Sequence, residues 1–94
     1  MVVQFLIHNK GDDVGVATSD LKKGTEVEGA YLDTNEKLKV KAQEDIPLGH
    51  KIALKDMKKG HDLVEYKNII GSVVQNIATG QHVHTHNLKS KRWK

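Results

Sequence analysis

Asp20-Leu21-Lys22-Lys23-Gly24-Thr25-Glu26-Val27 carries the pattern that decides the fold. It reads Asp or Asn, an apolar residue, two variable positions, glycine, two more variable positions and a second apolar residue. The pattern recurs in Asp56-Met57-Lys58-Lys59-Gly60-His61-Asp62-Leu63 and in Asn76-Ile77-Ala78-Thr79-Gly80-Gln81-His82-Val83. The copies are unequally spaced, so they do not form a solenoid. Each reads physically as one unit. Asp or Asn caps a single helical turn, the next apolar residue enters the core, and Gly takes the left-handed conformation that ends the turn. A strand follows. Short apolar segments precede the copies at Val14–Ala17, Ile52–Leu54 and Ser72–Val74.

Working outward, 2–8, 29–32, 38–42 and 82–86 also read as strands. Asp33-Thr34-Asn35-Glu36 reads as a hairpin turn, and the single proline, Pro47, marks a sharp connection before Leu48-Gly49. No segment sustains helical periodicity over three turns. The sequence predicts a mostly β fold of short, folded-over strands with single-turn helices at the corners. Residues 1–88 form one domain and 89–94 a basic tail.

The chain has 94 residues, which bounds it to one small domain. Aromatic residues are limited to Phe5, Tyr31, Tyr66 and Trp93, so Val, Ile, Leu and Ala must build the core. There is no cysteine, which excludes disulfides, thiolate metal sites and a cysteine nucleophile. The start, MVVQFLIHNKGDD, lacks a basic region and a small-residue cleavage site, so no signal peptide is expected. No apolar run approaches the roughly 20 residues of a membrane span. A cytoplasmic location is the expectation. The net charge is +3, yet Lys89, Lys91, Arg92 and Lys94 supply four cations in the last six residues. Without them residues 1–88 stand at −1, which argues against a nucleic-acid surface.

Six histidines are many for this length. On a strand, His82, His84 and His86 would share one face, away from the core position Val83. A His-x-His pair can chelate zinc or iron if a third ligand arrives from elsewhere. The plainer reading is an exposed polar strand face. His8 ends the first strand, with Asp12 and Asp13 close behind. The pair reads either as polar groups converging on a ligand or as a β-turn whose acids cap the backbone. Gly49 would let the backbone approach a ligand, with His50 and Lys51 as donors to a carboxylate. The plainer reading is an exposed turn. His61 reads as a loop residue. No nucleophile elbow, phosphate loop or calcium loop is present, and no carboxylate pair is poised for acid–base work.

Several linked motifs resemble one family. They are Ile7-His8 with Asp13-Val14-Gly15-Val16-Ala17, then Asp20-Leu21-x-x-Gly24, then Ile46-Pro47-Leu48-Gly49-His50-Lys51-Ile52-Ala53-Leu54. Glu65-Tyr66, Ile70-Gly71 and Gly80-x-x-Val83-His84-x-His86-Asn87 follow. Across nearly the whole chain these resemble the SAF domain of the altronate and galactarate dehydratases. The resemblance implies a β-clip fold and β-elimination from a hydroxy acid. It also implies a divalent metal, usually iron, held mainly by a large catalytic subunit. The short chain looks like the small subunit of a two-subunit lyase, of the sulfolactate sulfo-lyase or split altronate dehydratase kind. On that resemblance His8, Asp13, Gly49, His50 and Lys51 are the expected substrate contacts, and His84 and His86 the expected metal ligands. Arg92 and Trp93 are expected to dock on the partner. The sequence departs from the family at Lys67, where glycine commonly follows the tyrosine. An autonomous ligand-binding module and a small metal-binding protein built on His82, His84 and His86 are the alternatives.

Overall fold

The computed structural model describes residues 3–90. Nine short strands fill it: β1 (Phe5–Ile7), β2 (Val14–Ala17), β3 (Glu26–Tyr31), β4 (Lys37–Lys41), β5 (Lys51–Ala53), β6 (Asp62–Glu65), β7 (Asn68–Val73), β8 (His82–Val83) and β9 (Leu88–Ser90). Six make one sheet in the order β4-β3-β1-β2-β5-β8, and three make another in the order β6-β7-β9. Neighbours run antiparallel except β1 and β3, which pair in parallel with Phe5 opposite Gly29. Phe5 is fully buried. Its ring lies over Gly29 so closely that a Cβ there would fall 2.1 Å from it.

The repeat explains the folding-over, and it has a fourth copy. Asp45-Ile46-Pro47-Leu48-Gly49-His50 fits the same pattern, disguised by Pro47. The copies work in pairs. Leu21 bridges Ile46, and Met57 bridges Ile77. All four apolar residues are buried. No helix occurs among the described residues. Each copy closes as a hydrogen-bonded turn, with the residue after the glycine donating to the carbonyl three positions back: Thr25 to Lys22, His50 to Pro47, His61 to Lys58 and Gln81 to Ala78. The four glycines have φ between 85° and 94°, the left-handed region predicted for three of them.

The Asp and Asn side chains do not cap their own turns. Each reaches across to the paired copy. Asp20 Oδ1 accepts from Leu48 N at 2.9 Å, and Asp45 Oδ1 accepts from Lys23 N at 2.8 Å. Asp56 Oδ1 accepts from Thr79 N at 2.8 Å, and Asn76 Oδ1 accepts from Lys59 N at 2.9 Å. The chain is thus two similar clasps that share β5. Each clasp holds its own core. Phe5, Ile7, Leu21, Val27, Ile46 and Ile52 fill the first, and Val14, Ala53, Met57, Leu63, Val73, Ile77 and Val83 fill the second.

Two expected boundaries move. Lys89 and Ser90, expected in the tail, belong to β9 and pair with Ser72 and Gly71. The expected strand over 82–86 stops at Val83. Asn87, 3% exposed, ends it: its side chain accepts from His84 N at 2.9 Å and donates to the His82 carbonyl at 2.8 Å. The chain turns over residues 84–87, with Leu88 N donating to the His84 carbonyl. Arg92 and Trp93 lie outside the described residues. No helix among the described residues is long and apolar enough to cross a membrane.

Candidate functional site

The site forms where β5 and β8 pair. Lys51 faces Val83 and Ile52 faces His82, which puts His50 and His84 together at the end of the ladder. His50 is presented by the Pro47–His50 turn, whose Gly49 takes φ 85°. The turn is pinned to β2: Gly49 N donates to the Ala17 carbonyl, and Ala17 N donates to the His50 carbonyl, both at 2.8 Å. His50 Nδ1 and His82 Nε2 are 2.8 Å apart, one donating and the other accepting. The His84 ring lies 4.4 Å from the His50 ring, centroid to centroid. One ligand nitrogen each from His50, His82 and His84 lies within 4.8 Å of the other two. His86 stands beside the group, its ring 5.3 Å from that of His82.

Burial and neighbouring charge disfavour the protonated form of two of these rings, His82 and His84. Burial pushes the His82 imidazolium pKa down, and the neighbouring His50, His86 and His84 push it further. Desolvation does the same for His84, followed by His50, His86 and the Lys51 ammonium. Both shifts favour the free-base imidazole, the form that binds a metal.

Lys51 links the histidines to a second group. Its Nζ stands 3.8 Å from Glu65 Oε1, and His8 Nε2 stands 3.9 Å from Glu65 Oε2. Glu65 is 7% exposed and lies between these two basic side chains. His8 stacks on Tyr66 at 3.7 Å with the rings 20° apart. Tyr66 and Lys67 form the two-residue turn between β6 and β7, with φ 58° and 63°. Such a turn favours Asn-Gly. Here Lys67 adopts the left-handed conformation in spite of its side chain, so the departure from glycine leaves the turn intact. Asp12 supports it from below: its Oδ2 accepts from Tyr66 N at 3.1 Å and from Asn9 N at 3.2 Å.

His8, Glu65 and Lys51 thus form one group and His50, His82 and His84 another, a row bridged by the Lys51 charge acting on His84. Gly49 acts through the turn it allows. Asp13 is used elsewhere. Its carboxylate, 3% exposed, accepts from Val64 N at 2.8 Å, meets His61 Nε2 at 2.9 Å and Lys55 Nζ at 3.0 Å. All of its partners lie outside the row, and they tie β6 to the start of β2. Glu65 and Tyr66 were not picked out as contacts by sequence reasoning. The available signal was an acid two positions after buried Leu63, at an inward position of a strand. A hollow of about 210 Å³ lies apart from this chemistry, lined by Asp20, Leu21, Lys22, Asp45, Ile46 and Pro47. Within and beside the row His84, Tyr66 and Leu48 are exposed, His8, His50, Lys51 and His82 are half-buried, and Glu65 is buried.

The family model for the altronate/galactarate dehydratase SAF domain matches residues 3–91. The subunit alpha of (2R)-sulfolactate sulfo-lyase from Chromohalobacter salexigens is 37% identical over 99% of this chain and 100% of its own length. The subunit of the same name from Paracoccus pantotrophus is 48% identical over 63% of this chain and 88% of its own. Altronate dehydratase from Escherichia coli is 38% identical over 94% of this chain, but over only 17% of the enzyme. The chain belongs to the altronate/galactarate dehydratase SAF domain family. These relatives are named as a subunit of a sulfo-lyase and as a dehydratase, and the chain matches only 17% of the length of the latter.

Proposed function

We propose that this chain is the small subunit of a metal-dependent hydroxy-acid lyase and acts with a large catalytic subunit. The observation that carries the reading is full-length likeness to a protein named as a subunit, beside likeness to a mere sixth or so of altronate dehydratase. Sulfolactate is the favoured substrate, with elimination of sulfite to give pyruvate. Dehydration of a sugar acid is the alternative within the same class.

The chain's own share of the work follows from its row of bases. A hydroxy acid carries at least one carboxylate, and sulfolactate adds a sulfonate. Lys51 and His8 offer cationic or hydrogen-bond donors to such anions, with Glu65 between them setting their positions. His50 supplies a further donor from the rigid Gly49 turn. Asp13 holds the hairpin that carries Glu65 and Tyr66. The row is partly exposed, so the large subunit must supply the opposite wall and exclude water. Ferrous iron or another divalent ion, held mainly by that subunit, supplies Lewis-acid polarisation of the substrate hydroxyl and carboxylate when bound. Among the described residues here, the donor set that fits such an ion is imidazole nitrogen from His50, His82 and His84. Arg92 and Trp93 are proposed partner contacts, as arginine and aromatic side chains commonly anchor interfaces. The proposed location is the cytoplasm.

Affinity capture of the tagged chain from its native host tests the subunit reading. A stoichiometric and much larger polypeptide is expected to co-elute and to remain bound through gel filtration. Elution of the chain alone at native abundance contradicts the reading. The histidine cluster favours a second reading, an autonomous metal-binding module, in which the chain elutes alone with its metal.

A further inference from the structure

We propose that His50, His82 and His84 form a transition-metal site that this chain fills by itself, taking a late first-row divalent cation such as Zn²⁺ or Fe²⁺. The inference concerns these side chains alone. It stands or falls apart from the lyase reading.

The ligands come from two segments that the fold fixes against each other. His50 ends the turn before β5, and His82 and His84 flank Val83, the last residue of its partner strand. Both segments are anchored. The Gly49–Ala17 and Ala17–His50 backbone bonds hold the first, and the Asn87 side chain holds the second at both the His82 carbonyl and the His84 amide. The three imidazoles therefore stay together without a ligand, which is the preorganisation a metal site needs. Asn87 also ends β8, and this explains why the ligand set differs from a simple strand row. Beyond Val83 the chain curls; the His86 ring stays 5.3 Å from that of His82, but it is His50, across the ladder, whose nitrogen joins those of His82 and His84.

The dimensions fit. Two nitrogens on one tetrahedral zinc lie about 3.3 Å apart, given Zn–N bonds of about 2.0–2.1 Å. His50 Nδ1 and His82 Nε2 are 2.8 Å apart and all three nitrogens lie within 4.8 Å of one another, so the first pair opens slightly and the exposed His84 swings inward to close round the ion. A set of three imidazoles with no thiolate or carboxylate selects nitrogen-seeking metals over Mg²⁺ or Ca²⁺. It also leaves a fourth position for water or an exchangeable oxygen ligand. His84 is exposed, so that position is open to solvent.

The test is a titration of the untagged, EDTA-stripped chain with Co²⁺, read by visible absorption, followed by displacement with Zn²⁺. One equivalent is expected to bind, to produce d–d bands of a low-coordinate nitrogen site, and to raise the melting temperature. Mg²⁺ at millimolar concentration is expected to do neither. His50→Gln and His84→Gln are each expected to weaken binding at least 100-fold, whereas His61→Gln leaves it unchanged. The melting temperature of each metal-free variant checks its fold, and exposed His84 provides the variant least able to disturb it. Three results overturn the proposal: no saturable cobalt binding by the wild type, binding that survives His50→Gln and His84→Gln in folded protein, or binding that depends on His86 but not on His50.

Discussion

Gly80→Ala is expected to lower the melting temperature by on the order of 15 °C. Two effects combine. Gly80 has φ +89°, a conformation that an L side chain adopts at a penalty of about 1–2 kcal/mol. A Cβ built on it would also lie 2.1 Å from the Lys41 carbonyl oxygen. That atom belongs to the backbone and cannot swing away. The seam is already tight, because Gln43 N donates to the Gly80 carbonyl at 2.9 Å and Gly80 N donates to the Ala53 carbonyl at 2.8 Å. Overpacking of this sort adds about 1–3 kcal/mol. Each kcal/mol moves the midpoint of a domain this size by about 4–8 °C. Gly60→Ala isolates the backbone part, since Gly60 has φ +94° but no atom within 4 Å of the added Cβ. Thermal melts of both variants check the argument. Equal losses at the two positions would show that the Lys41 seam is not tight.

Asp13→Ala is expected to destabilise the fold by about 3 kcal/mol, the scale for removing one partner of a buried, charge-assisted network. The change strands the Val64 amide and leaves His61 and Lys55 without their shared anion. Burial alone would raise the Asp13 pKa. The bonds from His61, Val64 and Lys55 outweigh it and hold the carboxyl below its ordinary value of 3.8. The sign follows. A depressed folded pKa means the unfolded chain binds the proton more readily, so Asp13 contributes its full stability above pH 3.8. That contribution is lost as pH falls through the lower folded value. Asp13→Asn keeps the shape without the titration. Its stability is expected to fall less steeply than the wild type's below pH 3.8, as measured by urea unfolding from pH 2 to 7. Parallel profiles would contradict the assignment.

The clasp motif was largely legible in the sequence because it is local. Asp or Asn, an apolar plug and a left-handed glycine can be recognised within five residues. What the carboxylates bind was not legible, since Asp20 meets Leu48 and Asp56 meets Thr79, more than 20 residues away. The fourth copy was hidden because Pro47 draws attention to a turn and away from the Asp45-Ile46-x-x-Gly49 frame around it. β9 was hidden for a different reason. Lys89 looks like part of a solvated run, and only its pairing with Ser72 makes it strand.

The candidate site divides in the same way. His8, His50 and Lys51 stood out by chemistry at turns. The group that joins His8 to Lys51 depends on Glu65, whose inward place on β6 is settled by a hairpin packed from another part of the chain. The metal cluster required the β5–β8 register, which brings His50 to histidines more than 30 residues later. It also required Asn87, buried and bonded on both sides, to end the strand before His86 could join the row. Spacing along one segment could propose ligands, but only pairing between segments could choose among them.

The most direct test of the lyase reading is an elimination assay on the chain and the large polypeptide it captures, alone and recombined, with Fe²⁺ present. The account predicts sulfite and pyruvate from (2R)-sulfolactate, or a keto acid from altronate, only when both polypeptides are present. It predicts loss of most of that activity with Lys51→Ala. Full activity from the large polypeptide without this chain, or none from the assembled pair on either acid, would contradict it.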